Sequence, residues 1–120
     1  MTGSSSLDVV LIQPGSRMEI YQALGSQLTA VEPPVWAGLL ATFLRNRGYR
    51  VEIVDADAEE LGPEATAERV AALRPLLTVV VVFGHQPSAS TQTMPAAGAI
   101  CRALKERVPA VPILMVGGHV

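Results

Sequence analysis

The run Leu77-Thr78-Val79-Val80-Val81-Val82-Phe83 constrains the fold of this chain more than any other segment. It is rich in β-branched residues and continuously apolar rather than alternating. A strand of that kind is covered on both faces, as in the interior of a parallel sheet. Parallel strands need long crossovers, usually helical. The run therefore predicts strands alternating with helices.

The rest of the chain follows that alternation. Asp8 to Gln13 reads as a first strand. Trp36, Leu39, Leu40, Phe43 and Leu44 recur at helical spacing, and Pro33-Pro34 suit the start of that helix. Arg45-Asn46-Arg47-Gly48 reads as its C-terminus, with basic residues at the negative end of the dipole. Val51 to Val54 is a second strand, closed by Asp55-Ala56-Asp57. Pro63 opens a helix through about Leu73, and Pro75 stops it. After Leu77 to Phe83, a helix is expected from about Met94 to Val108, then a strand from Ile113 to Val116 ending in Gly117-Gly118. The order βαβαβαβ implies an open parallel sheet with right-handed crossovers. The fold class is α/β, Rossmann-like or flavodoxin-like. Such a domain normally goes on to a fifth strand, so the sequence reads as the amino-terminal part of a longer enzyme, with one sheet edge bare. Residues 1–7 read as a disordered tail and 8–120 as a single domain.

Composition narrows the function classes. Hydrophobic residues make up 49% and charged residues 17%, too apolar for a disordered chain. Net charge is −2 and the basic residues are scattered, which disfavours a nucleic-acid partner. Two Phe, two Tyr and one Trp are few for base stacking. The single cysteine, Cys101, excludes a disulfide framework and makes a reducing, cytoplasmic setting the default. It shares a helical face with Ala97, Leu104 and Val108, which reads as core rather than nucleophile. The N-terminus lacks the basic and apolar regions of a secretory signal, and no apolar run is long enough to span a bilayer.

In an open α/β sheet, ligands bind outside the carboxyl ends of the strands. Three segments fall there. The first is Gln13-Pro14-Gly15-Ser16-Arg17, where Pro14-Gly15 reads as a turn or as backbone that lets a large planar ligand approach. The second follows strand three: Gly84, then Ser88, Ser90, Thr91 and Gln92. One hydroxyl there is expected to cap the next helix. Four polar residues in close succession exceed what a cap needs, and a helix N-terminus favours an anion. The third is Gly117-Gly118-His119, either a turn or another close-approach position. His85 and His119 are candidate ligands, although a lone loop histidine is more often solvated. Asp55 and Asp57 read best as a turn. Pro14 to Glu32 is a long connection of about 19 residues. No G-x-G-x-x-G or P-loop follows strand one, which disfavours nicotinamide dinucleotides and P-loop chemistry. No C-x₃-C-x₂-C is present to hold an iron–sulfur cluster.

The order of these pieces resembles the amino-terminal cobalamin-binding domain of cobalamin-dependent radical SAM enzymes. The resemblance is carried by Val10-Leu11-Ile12-Gln13-Pro14, Glu32-Pro33-Pro34 with Gly38-Leu39-Leu40-Ala41, and Leu44. It continues through Gly48-Tyr49, Val51-Glu52-Ile53-Val54-Asp55 and Gly117-Gly118-His119-Val120. It implies a corrin lying across the strand carboxyl ends, held by Gln13 to Ser16, Gly84, Ser88, Ser90, Thr91 and Gly117 to His119, with no protein metal ligand. It also implies a radical SAM domain of the same longer chain, carrying S-adenosylmethionine and a 4Fe-4S cluster, with methyl transfer as the reaction. The D-x-H-x-x-G motif that supplies a lower axial histidine in methionine synthase and the mutases is absent, so the cobalt is expected with its tail base displaced and no histidine beneath. The ending lacks the proline of the familiar Gly-Gly-Pro-His. Two other readings stay open: a flavodoxin-like FMN or nucleotide binder, for which aromatics and first-loop hydroxyls are scarce, and a non-catalytic module docking through its open edge.

Overall fold

A computed structural model describes residues 7–14, 35–56, 58–82 and 87–117 of the chain. Seven elements follow in order: β1 (Leu7–Gln13), α1 (Val35–Arg45), β2 (Val51–Asp55), α2 (Pro63–Leu73), β3 (Pro75–Val82), α3 (Pro87–Arg107) and β4 (Ile113–Gly117). The four strands form one sheet in the order β2-β1-β3-β4. All three pairings are parallel, with Val9 opposite Val51, Leu11 opposite Val79, and Val80 opposite Met115. This is the expected open α/β sheet. β1 starts at Leu7, one residue before its sequence estimate, and α2 spans the residues read for it.

Successive residues of β1 and β3 supply opposite faces, as strand geometry requires. Val10, Ile12, Val80 and Val82 pack with Val54 against Ala67 and Val70 of α2 and Ala97, Ile100, Ala103 and Leu104 of α3. Val9, Leu11, Val79 and Val81 pack with Val51 on the other side against Ala37 and Ala41 of α1. That double burial accounts for the continuous apolar run in β3.

α1 is apolar nearly all round. It turns its small residues, Ala37 and Ala41, onto the sheet, with Leu40 and Leu44 packed at the flanks. Trp36, Leu39 and Phe43 point outward, about half exposed. Alanines let the helix axis come close to the strands, which leaves the bulky side chains of the same helix outside. The Arg47 guanidinium lies 4.5 Å from the centre of the Phe43 ring. The helix stops as its sequence suggests: Gly48 takes φ +93° and its N–H donates to the Arg45 carbonyl at 3.0 Å. Arg45 Nη2 donates to the Val51 carbonyl at 2.7 Å, tying the helix end to β2.

α2 opens with Pro63 after Gly62 and carries Glu64 in its first turn. It closes on Arg74 at φ 56°, whose N–H donates to the Val70 carbonyl. Pro75 then begins β3.

α3 departs from the sequence reading. It begins at Pro87, not near Met94, and runs for 21 residues with Pro95 inside it. Ser88, Ser90 and Thr91 therefore lie in its first turns and not in a loop. Pro87 is as well suited to a first helical position as Pro95 is. The hydroxyl-rich composition that suggested a loop is outweighed by continuity with the packed half of the helix. Cys101 packs against the core beside Val108, and burial pushes its thiol above the ordinary range, consistent with a structural role.

The amino ends of β1 and β2 are clamped by Asp8 and Arg50. The Arg50 amide donates to Asp8 Oδ2 at 2.7 Å, and the Asp8 amide donates to the Arg50 carbonyl at 3.0 Å. That first bond, helped by the Arg50 charge, holds the Asp8 carboxyl below its usual range. A lowered pKa in the folded state means stability present above the unfolded value of 3.8 and lost as pH falls through the folded value. Asp8→Asn is accordingly expected to be less stable than wild type near neutrality. The difference should close as pH is taken below 3.8, read from urea midpoints across a pH series.

Among the described residues, one buried side-chain polar atom has no partner. Thr78 is fully buried in β3 and its hydroxyl makes no hydrogen bond, whereas the buried Thr66 hydroxyl donates to the Gly62 carbonyl at 2.8 Å. An unsatisfied buried hydroxyl costs about 1–3 kcal/mol. Thr78→Val, which keeps the shape, should raise stability by about 1 kcal/mol, seen as a higher urea midpoint at unchanged slope. Thr66→Val, which breaks a made bond, should not.

Candidate cofactor site at the carboxyl ends of the strands

The sheet order creates one switch point. β1 runs through α1 to β2 on one side, whereas β3 lies on its other side and continues through α3 to β4. The two crossovers leave on opposite faces, because α1 packs on one side of the sheet and α2 with α3 on the other. The switch point lies between the carboxyl ends of β1 and β3, and open sheets of this kind hold their ligands in a crevice at such a point.

The carboxyl edge of the sheet is described at Gln13, Pro14, Asp55, Ala56, Val82 and Gly117. Its β2 side is held by backbone bonds. The Ala56 amide donates to the Gln13 carbonyl at 3.0 Å, joining the ends of β1 and β2. Asp55 Oδ1 accepts the Ala58 amide at 3.0 Å, and the Leu61 amide donates to the Ala56 carbonyl at 2.9 Å. Asp55 is thus a turn residue, as its position suggested; Asp57 lies outside the described residues. Pro14 is buried and Gln13 partly buried, so the chain leaves β1 close against the sheet.

Gly117 has a structural reason of its own. It pairs with Val82 at φ +152°, and a Cβ there would lie 2.1 Å from the Val82 carbonyl oxygen. The position demands glycine so that β4 can approach β3. No approaching ligand is needed to explain it.

Of the sequence candidates, Gln13, Pro14 and Gly117 are brought to one edge of the sheet. The backbone of Ser88, Ser90 and Thr91 lies in the first turns of α3, whose N-terminus follows the carboxyl end of β3. Gly15, Ser16, Gly84, His85, Gly118 and His119 lie outside the described residues. Sequence reasoning passed over Ala56. Its signal was its place directly after β2, level with Gln13, and its small side chain.

Among the described residues no group of three or more His, Cys, Asp and Glu could hold a metal ion. Among the described residues the shifted carboxylates are Asp8, at the amino end of the sheet, and Glu59, in the turn after β2, lowered by its hydrogen bond from Arg69 at 2.8 Å. Among the described residues no helix is long and apolar enough to cross a membrane.

A substitution test separates the two glycine roles. Gly117→Ala should lower stability by on the order of 3 kcal/mol, since it adds a main-chain clash to an unfavourable φ. Gly98→Ala, inside α3 with only Arg102 Nη1 at 3.8 Å from the new methyl, should raise stability by up to about 1 kcal/mol. Thermal unfolding of both variants checks the pair.

No curated protein and no solved structure matches the chain. The family model of the B12 binding domain matches residues 21–120, taking in α1, β2, α2, β3, α3 and β4 and leaving β1 with Gln13 and Pro14 outside the match. With its parallel sheet, its switch-point crevice and a match over well more than half its length, the chain belongs to the B12-binding domain family.

Proposed function

We propose that this chain holds cobalamin across the carboxyl ends of β1, β3 and β4, as the amino-terminal cobalamin module of a radical SAM enzyme that transfers methyl groups. The observation that carries the cobalamin reading is the family match over residues 21–120, on a fold whose crevice stands where such a ligand binds. The radical SAM context rests on the sequence resemblance, from Val10-Leu11-Ile12-Gln13-Pro14 to Gly117-Gly118-His119-Val120.

The residues present fit the group. A corrin is broad, flat and rimmed by amides, and it brings its own nitrogen ligands to the cobalt. Of the described residues at this edge, Pro14, Ala56, Val82 and Gly117 are small or compact, with Gln13 and Asp55 the polar ones. The metal-ligand cluster that a bare ion would require is absent among the described residues, and a corrin does not need one. When bound, cobalamin supplies a cobalt centre able to carry a methyl group.

This chain's own part is to bind and orient. The Gln13 side chain stands where β1 ends and can meet an amide of the ligand rim. The Ala56–Gln13 backbone bond keeps the ends of β1 and β2 level. Ser88, Ser90 and Thr91 supply hydroxyls near the start of α3, where the helix dipole favours a phosphate. No D-x-H-x-x-G motif follows β1, so the protein is expected to bind cobalamin with the tail base displaced and no histidine taking its place.

The test is a spectral titration with hydroxocobalamin and methylcobalamin, each followed by dialysis. Retention with a base-off spectrum is the expected result. Failure of the folded protein to retain either form overturns the reading. Ser88→Ala, Ser90→Ala and Thr91→Ala should each weaken retention about fivefold, the equivalent of one ordinary hydrogen bond. Whether a substrate is methylated is read by adding S-adenosylmethionine and a reductant to the full-length enzyme carrying its radical SAM domain.

A further inference from the structure

Trp36, Leu39 and Phe43 are large side chains of α1 that the sheet does not use, each about half exposed. They stand at different levels. β1 and β2 are parallel, so α1 starts at the carboxyl edge of the sheet and runs back towards the amino edge. Trp36 is in the first turn, level with that carboxyl edge. Phe43 comes seven residues later, about 10 Å nearer the amino edge.

The direction of Trp36 follows from helix geometry. Ala37 and Ala41 face the sheet. Arg45 reaches the Val51 carbonyl, which marks the side of α1 that looks towards β2. Trp36 precedes Arg45 by nine residues, about two and a half turns, and so leaves the helix on the opposite side. With β1 between β2 and β3, that is the side of β3. The right-handed crossover gives the same answer. Seen with the strands pointing up and α1 in front, β2 lies to the right of β1. A right-handed helix running downwards then carries the residue just before the sheet-facing Ala37 to the left, over β1 and β3. Trp36 is thus the aromatic residue of α1 that combines the level of the carboxyl edge with the side of the switch point. Phe43 shares the side but not the level.

We propose that Trp36 is a ligand-binding residue, its indole forming the α1-side wall of the switch-point crevice and packing against the ring system held there. The identity of that ring system rests on the cobalamin reading above. Small-molecule sites are lined mainly by apolar and aromatic side chains, with a few polar groups to fix orientation. Pro14, Ala56, Val82 and Gly117 bring little apolar area to the edge. An indole brings far more, on a flat face suited to a flat partner. Half of Trp36 is in water without a ligand, and covering it adds to the affinity.

The experiment uses the full chain and hydroxocobalamin. Retention after dialysis is read by absorbance for wild type, Trp36→Ala, Trp36→Phe and Phe43→Ala. Trp36→Ala should weaken retention about tenfold, the loss expected for one packed aromatic ring. Trp36→Phe should stay within about threefold of wild type, and Phe43→Ala should leave retention unchanged. Hydroxyl-radical footprinting by mass spectrometry reads the contact in wild type, where no variant's folding enters. Bound hydroxocobalamin should protect Trp36 and leave Leu39 and Phe43 as reactive as before. Retention by wild type that Trp36→Ala does not weaken, equal losses in Trp36→Ala and Phe43→Ala, or no protection of Trp36 overturns the assignment and leaves the cobalamin reading standing. If folded wild type retains no hydroxocobalamin, the cobalamin reading is overturned and the assignment with it.

Discussion

The parallel pairing of β1 with β3 is the contact on which the rest of this protein depends. These two strands are the only interior ones of the four, and each is covered on both faces. Their register sets Leu11 beside Val79 and Ile12 beside Val80, so each face of the sheet receives a continuous apolar surface. Pairing β1 with β3 while β2 lies outside β1 forces the crossovers to opposite faces. The crevice follows from that geometry rather than from any particular side chain. A one-residue slip would exchange the residues facing α1 with those facing α2 and α3. Because Val, Leu and Ile occupy both faces, it is the differing volumes of the two helical layers that hold the register. Alanines of α1 meet one face; Ile100 and Leu104 of α3 meet the other.

The same packing explains where small residues were placed. Ala37 and Ala41 bring α1 down onto β1 and β2, and Gly117 brings β4 against Val82. The sheet alone accounts for Gly117. Its absence of side chain serves the sheet whether or not a ligand is near. Thr78 is the contrary case: a polar atom is enclosed with no partner, in a strand where Val would fit.

Much of the architecture was legible because strong local signals agreed. Pro63 at the start of α2 and Pro75 just beyond its end bounded that helix correctly. Gly48 ended α1, and the continuous valines of β3 announced double burial. The start of α3 was not legible, because two prolines competed for it. Pro95 is followed by apolar residues, whereas Pro87 is followed by Ser and Thr that read as a loop, so the helix was expected only from about Met94. The carboxyl edge of the sheet was legible, and with it the places of Gln13, Pro14 and Gly117. The part played by Ala56 was not, since an alanine after a strand carries no signal until the strand beside it is known.

The sequence by itself determined the fold class and the order of elements, because periodicity, prolines and glycines act within a few residues of themselves. It also determined that the chain carries cobalamin-domain features rather than a dinucleotide or P-loop motif. Only the tertiary structure decided which face of α1 is buried, that β1 lies between β2 and β3, and that Gly117 is demanded by the Val82 carbonyl. Those outcomes depend on contacts between residues far apart in the chain. Local propensity holds no information about such contacts until the sheet has closed.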